Sequence, residues 1–269
     1  MTNAVGPVVN SASLAPVGVD FADPNIKFDG TASALASYGS LGATAHAHLV
    51  GETANGVALF SSLGIATFRD QITAVSGLVP SGSGGFVRYQ FHIDGALAAL
   101  GAPAPFFFGD TFAALSVQQS TGPNIGLFNA TVRRGSLGTI NNGPPPSGWI
   151  NAPGSLSGGS DFLTFELPMT WGAAFDFKVG LLAWAYGTSD TQFGTTARLT
   201  GVDLFDANHN AVTNFALSSA SGSDYLNFAT TTPIPEPSSV ALMLIGLVLV
   251  GSRATGLRRA CRRAGDRCP

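Results

Sequence analysis

Pro235, Glu236 and Pro237 are followed by 20 residues in which Arg253 is the only charge, and then by Arg258, Arg259, Arg262 and Arg263. Each part has a definite chemistry. Prolines at 233, 235 and 237 fix φ and remove backbone donors, so the chain stays extended, outside helix or ladder, and open to a protease cleft. The run that follows is apolar over 240–250 apart from Gly246, and a 20-residue helix at ~1.5 Å per residue reaches across ~30 Å of hydrocarbon. Arg253 lies near the far end, where it can snorkel. The arginine cluster predicts that this end stays in the cytoplasm, with the preceding chain on the other side. A helix buried in a core would not need its arginines gathered at one end.

Other residues have the types and spacing for a site. Asp206, Asn208 and Asn210 alternate as at the start of an EF-hand calcium loop, but position 211 is Ala where glycine is required and position 217 is Leu where the bidentate acid belongs. A hairpin turn with Asx side chains bonded to their own backbone accounts for the same residues, which leaves them as weak calcium candidates. His46 and His48 fall on one side of a strand, where two imidazoles can chelate a metal, yet His92 and His209 are the only other histidines and no acid or cysteine accompanies the pair at ligand spacing. Asp94, Asp110, Asp161, Glu166 and Asp176 are candidate pairs for glycoside hydrolysis, which needs two carboxyls ~5 to 10 Å apart across a cleft. The string GSLSG at 154–158 puts Leu156 where a nucleophile elbow needs serine. Trp149, Trp171, Trp184, Tyr186 and Tyr225 could stack on sugar rings if they shared a flat face, core packing being the alternative.

The elements that must position these residues are strands. Charged residues make up only 11% of the chain, glycine is abundant at 34 of 269 and phenylalanine supplies 19 of the aromatic residues, a bias toward strand and turn over surface helix. In FVRYQFHI, Val87, Tyr89, Phe91 and Ile93 face one way and Arg88, Gln90 and His92 the other, the pattern of a half-buried strand. TAHAHLV, GIATFRDQITAV, DTFAALSVQ, GLFNATVRR, DFLTFELPMTW, AAFDFKVGLLAWAYG, TTARLTGVDLFDA and AVTNFALSSAS read the same way. PSGSGG, NNGPPPSG and APGSLSGGS are expected to be turns between them. The expectation is an all-β, antiparallel β-sandwich or jelly roll followed by one C-terminal transmembrane helix.

Charge and cysteine divide the chain in the same place. Residues 1–232 hold seven basic side chains (Lys27, Arg69, Arg88, Arg133, Arg134, Lys178 and Arg198) against fourteen acidic ones, a net charge of −7, whereas 233–269 hold six arginines against Glu236 and Asp266. An acidic body is a poor partner for nucleic acid. Both cysteines, Cys261 and Cys268, lie in the tail, so the body can form neither a disulfide nor a thiolate metal site. No phosphate loop or dinucleotide fingerprint is present.

The order Pro235-Glu236-Pro237, short hydrophobic helix, arginine cluster, chain end closely resembles the PEP-CTERM sorting signal, also described as an ice-binding-protein C-terminal motif. The resemblance covers about 30 residues. It implies a substrate of an exosortase, a membrane cysteine transpeptidase of Gram-negative bacteria that make extracellular polysaccharide. Cleavage at or near Pro-Glu-Pro would remove the helix, the arginines and both cysteines. TTARLTGVDLFDANHNAVTNFALSSASGSDY is similar to a closing hairpin recurrent in exported proteins with this signal, in which a strand runs into an Asp-Ala-Asn turn and returns. Such proteins carry a cleaved signal peptide, and the first residues have no basic start or apolar core, so a start placed too far downstream is expected.

These readings give an organisation: an N-terminal segment over 1–29 lacking its signal peptide, a β-sandwich over 30–230, a proline-rich linker over 231–237, a transmembrane helix over 238–257 and an arginine-rich cytoplasmic tail over 258–269. The expected function is that of an exported, non-enzymatic module at the cell surface or in the extracellular matrix, reached from a membrane-anchored precursor. Its partners are an exosortase, the membrane before processing and extracellular polysaccharide, with no cofactor, metal or nucleic acid. The alternatives are a secreted jelly-roll glycan hydrolase or lyase, and an adhesion or ice-binding protein, for which the sequence has no regular Thr-x-Thr array.

Overall fold

The computed structural model describes residues 11–16, 27–50, 60–99, 109–120 and 124–227, as strands joined by turns and loops. The chain divides into two units, Met1–Ala229 and Thr230–Pro269, and every described residue lies in the first. The strands in its first half are β1 (Ser11–Pro16), β2 (Lys27–Ser37), β3 (Ser40–Val50), β4 (Phe60–Ser76), β5 (Gly84–Ala99), β6 (Asp110–Gln119) and β7 (Ile125–Arg133). Those in the second half are β8 (Thr139–Ile140), β9 (Trp149–Ala152), β10 (Ser155–Thr170), β11 (Ala174–Tyr186), β12 (Ser189–Asp206), β13 (Ala211–Val212) and β14 (Phe215–Ser219).

They form two antiparallel sheets. The front sheet runs β1-β4-β11-β6-β7-β8, with β14 also paired to β4; the back sheet runs β2-β3-β12-β5-β10-β9, with β13 paired to β12. The sandwich expected from the alternation is therefore the fold observed. On β5, Val87, Tyr89, Phe91 and Ile93 are at most 1% exposed, while Arg88, Gln90 and His92 face outward.

Where the sheets meet, large side chains fill the space between them. Phe68 and Ile72 of β4 and Phe177, Val179 and Leu181 of β11 lie against the back sheet's Tyr89, Phe91, Leu199 and Leu204, all nearly inaccessible. Tyr89 and Phe177, one from each sheet, stack at 4.2 Å with rings 7° from parallel, a contact worth ~1 kcal/mol beyond its area. At one corner the sheets come closer. Ala43, Ala45 and Ala47 of β3 face Ala66, Ala183 and Ala185 of the front sheet, and a Cβ on Gly64 would stand 2.6 Å from the Thr44 carbonyl oxygen and 2.7 Å from that of Ser33.

Hydroxyls join the sheets at this corner. Ser62 donates to the His46 carbonyl at 2.6 Å, Thr111 to the Asp190 carbonyl at 3.0 Å, Thr191 to the Trp184 carbonyl at 2.7 Å and Ser189 to the Asp110 carbonyl at 2.9 Å. All four donors are at most 1% exposed, so the bonds satisfy groups that burial would otherwise penalise.

The structure departs from the sequence reading at three places. APGSLSGGS, expected to be a turn, holds only a two-residue turn at Pro153 and Gly154 (φ 77°), and Ser155 onward enters β10. Proline followed by a glycine of positive φ is the signature of a type II turn; the serines and glycines around it are strand because β5 and β9 pair with them, whatever their own propensity. AVTNFALSSAS, read as one strand, is two. β13 pairs with β12 in the back sheet, then the chain crosses at Thr213 and Asn214 and β14 pairs with β4 in the front sheet, the crossing held by Ser76 donating to the Asn214 carbonyl at 2.6 Å. Finally, β1 and the first three residues of β2 belong to the sheets although they lie within the 1–29 segment. The hairpin after TTARLTGVDLFDA returns along β12 for only two residue pairs.

Candidate functional site

The five large aromatic residues singled out in the sequence do not share a face. Trp149, Trp171 and Tyr225 are 9%, 1% and 2% exposed and belong to the core. Trp184 and Tyr186 instead point outward from β11, because they alternate with the buried Ala183 and Ala185. Their rings stack at 5.4 Å, 25° from parallel.

Register supplies their neighbours. Trp184 lies opposite Leu63 of β4 and Phe112 of β6, and Phe112 lies opposite Thr131 of β7. Directly opposed Cβ atoms are about 5 Å apart, so these side chains form one continuous half-buried surface on the front sheet. In the next row Tyr186 lies beside Asp110, which faces Arg133 across β7. Desolvation raises the Asp110 carboxyl above its ordinary value, and the Arg133 guanidinium at 3.8 Å works against the shift. Burial, and then the Asp110 charge, raise the Tyr186 phenol.

In the other direction along β11 the surface dips. Leu182 lies between Ile65 and Ala114, and two residues further Gly180 lies between Thr67 and Ser116. The missing side chain opens a depression of about 180 Å³ with Ile65, Ala114 and Leu182 on its floor and Thr67, Ser116, Asn124 and Lys178 around it. A Cβ on Gly180 would sit 3.3 Å from Thr67 Cγ2. Phe112 and Lys178 were invisible as site residues in the sequence, since only the pairing of β6 with β11 and the face alternation of β11 place them beside Trp184 and the depression.

The remaining candidates are dispersed. His46 and His48 do share an outward face of β3, their rings 6.2 Å apart, and His46 Nδ1 pairs with Asp190 of β12. His92 is paired in register with Arg198, six residues along β5 from the Ala98 that faces Asp190, a separation of ~20 Å. His209 stacks on Phe86 at 4.0 Å and lies 3.4 Å from Glu166. Among the described residues no three His, Cys, Asp or Glu side chains gather as a metal site. Asp206 uses its carboxylate within its own turn: Oδ1 accepts the Asn208 and Asn210 N–H groups, each at 2.8 Å, and Oδ2 accepts the Asn210 amide at 3.0 Å. The Asn210 bonds, side chain first and then backbone, lower its carboxyl below the usual range.

The acids considered for hydrolysis whose side chains are described stand far apart. Asp110 and Asp176 share the front face but are ten residues apart in register, ~33 Å, and Asp176 accepts from Arg69 at 2.5 Å. Glu166 and Asp94 share the back face, where Glu166 accepts from Arg88 Nε at 2.8 Å and Asp94 lies six residues along β5 from Arg88, ~20 Å away. The side chain of Asp161 lies outside the described residues.

The class defined by these observations is a two-sheet antiparallel β-sandwich whose solvent-facing front sheet carries an aromatic surface, followed by a tail of distinct chemistry. That tail is a PEP-CTERM protein-sorting motif, matched over residues 233–263. The motif implies processing by an exosortase and a transmembrane segment, and proteins that carry it are exported and sorted to the cell surface. Its residues Pro235, Glu236 and Pro237, the span 238–257 and the cluster Arg258, Arg259, Arg262 and Arg263 lie outside the described residues. No curated protein matches the chain. Among solved structures, the chain is similar at 8% identity to the enzymatically active domain of bacteriophage CBA120 tailspike protein 4, with 66% of this chain and 20% of that one covered and a TM-score of 0.18. The likeness spans only about a fifth of the tailspike chain and is too low to bear on fold or function.

Proposed function

We propose that this exosortase-sorted protein is a non-enzymatic surface module that holds polysaccharide of the extracellular matrix on the outer face of its front sheet. The observation that carries the reading is the Trp184 and Tyr186 stack, in register with Phe112 and Leu63 and bordered by Asp110, Thr131 and Asn129. Aromatic rings offer a flat apolar face to the C–H side of a pyranose, and polar groups at the border bond to its hydroxyls. A flat sheet suits a long polymer better than a small molecule, which needs a concave pocket to bury most of its surface.

The test is binding of the exported protein to purified matrix polysaccharide, with and without the substitution Trp184→Ala. Because Trp184 is outward-facing, its removal should leave the fold intact and weaken binding by at least about tenfold. Equal binding by a correctly folded W184A protein would remove the face from the account.

A further inference from the structure

The two outer faces of the sandwich differ in charge in a way that the net charge of the body conceals. Among the described side chains, the front face carries Arg69, Lys178 and Arg133 against Asp110 and Asp176. The back face carries Arg88 and Arg198 against Asp29, Asp94, Asp190, Asp203 and Glu166. In a body of net charge −7, the aromatic face is thus the cationic one.

Within that face the cations are placed unusually. Lys178 and Arg69 are direct cross-strand partners on β11 and β4, and like charges in that relation are destabilising. Arg69 is compensated by Asp176 at 2.5 Å, whereas among the described residues Lys178 has no carboxylate within 4.0 Å. Lys178 borders the depression over Gly180, together with the hydroxyls of Thr67 and Ser116 and the amide of Asn124. An ammonium, two hydroxyls and an amide around a shallow apolar floor are donors suited to an anion.

We infer that the front face binds an acidic polysaccharide, with a pyranose ring on Trp184 and Tyr186 and a uronate carboxylate from further along the same polymer held by Lys178 in the depression over Gly180. The inference rests on the glycan reading above and specifies its ligand. Gly180 lies four residues from Trp184 along β11, ~13 Å, so one monosaccharide cannot occupy both positions and an oligomer is required. A nucleic acid offers stacking and negative charge as well, but its phosphate at every residue would meet too few cations on this acidic body.

The experiment is a titration of the exported protein with hexagalacturonate, its methyl ester and an oligothymidylate, followed by Trp fluorescence and calorimetry, on wild type, Lys178→Gln and Trp184→Ala, with circular dichroism as the check on folding. The wild type should prefer the acid to the ester by about tenfold. K178Q should bind both equally at the ester's affinity, and W184A should weaken both. Equal wild-type affinity for acid and ester, or an unchanged preference in K178Q, overturns the inference and leaves the glycan reading standing. Binding to neither form overturns the inference, the glycan reading then resting on its own test with matrix polysaccharide, and tighter binding of the oligothymidylate replaces the glycan by a nucleic acid.

Discussion

Asp70 is a fully buried carboxylate on β4, held among the described residues by four hydrogen bonds. Its oxygens accept from the Gln71 N–H at 2.8 Å, the Ser221 N–H at 3.1 Å, the Ser221 hydroxyl at 2.5 Å and the Tyr225 hydroxyl at 2.7 Å. Those bonds fasten the segment that follows β14 to the front sheet. Tyr225→Phe removes a bond to a charged, buried acceptor and should cost ~1.5 to 3 kcal/mol in urea unfolding. Tyr89 is the opposite case: it is fully buried, and among the described residues its hydroxyl has no hydrogen-bond partner. Tyr89→Phe keeps the stack on Phe177 and removes the unpaired hydroxyl, so it should raise stability by ~1 kcal/mol in the same assay. Burial raises the Tyr225 and Tyr89 phenols, and hydrogen bonding to Asp70 adds to the shift of Tyr225. In the unfolded chain both release their protons near pH 10 and in the folded chain only higher, so deprotonation favours the unfolded chain: stability is unaffected by this linkage below ~pH 10 and is lost as pH rises beyond it. Melting temperature should therefore fall steeply on the alkaline side, and less steeply in Y225F.

At the scale of elements, the narrow corner depends on the absence of side chains. Gly64→Ala would drive a methyl group into the backbone carbonyls of Thr44 and Ser33, which cannot rotate away as a side chain would. The substitution should cost ~1 to 3 kcal/mol, seen as a lower melting temperature, whereas Gly77→Ala, with open space around its Cβ position, should change it little. Strands such as β5 were legible in the sequence because alternation is a local property, and Val87 to Ile93 display it within seven residues. The split of AVTNFALSSAS between two sheets was not, since it depends on β4 offering a free flank at Ile72 to Ser76, 135 or more residues upstream. The site shared that limit: Trp184 and Tyr186 could be named, but their separation from the buried Trp149 and Trp171, and their union with Phe112, came from register and packing. The same packing separated Asp110 from Asp176 and Glu166 from Asp94, which a linear reading leaves open as pairs, and kept His46 and His48 together but away from His92.

At the scale of the molecule, the protein joins a sandwich to a tail that serves its delivery. The body is stabilised by contacts between two sheets and uses neither cysteine of the chain; the sorting motif holds the prolines and the arginine cluster. Asn227 is the last described residue of the sandwich, and seven residues separate it from Pro235 in the sequence. Cleavage at or near the Pro-Glu-Pro step would leave the Asp70 clasp and the front face intact. The central claim, that an exosortase sorts this protein, is tested most directly by intact mass spectrometry of the chain exported behind a cleavable signal, in hosts with and without the enzyme. The account predicts a product lacking the residues after Pro237 only where the exosortase is present. Full-length protein retained in the membrane of both hosts would contradict it.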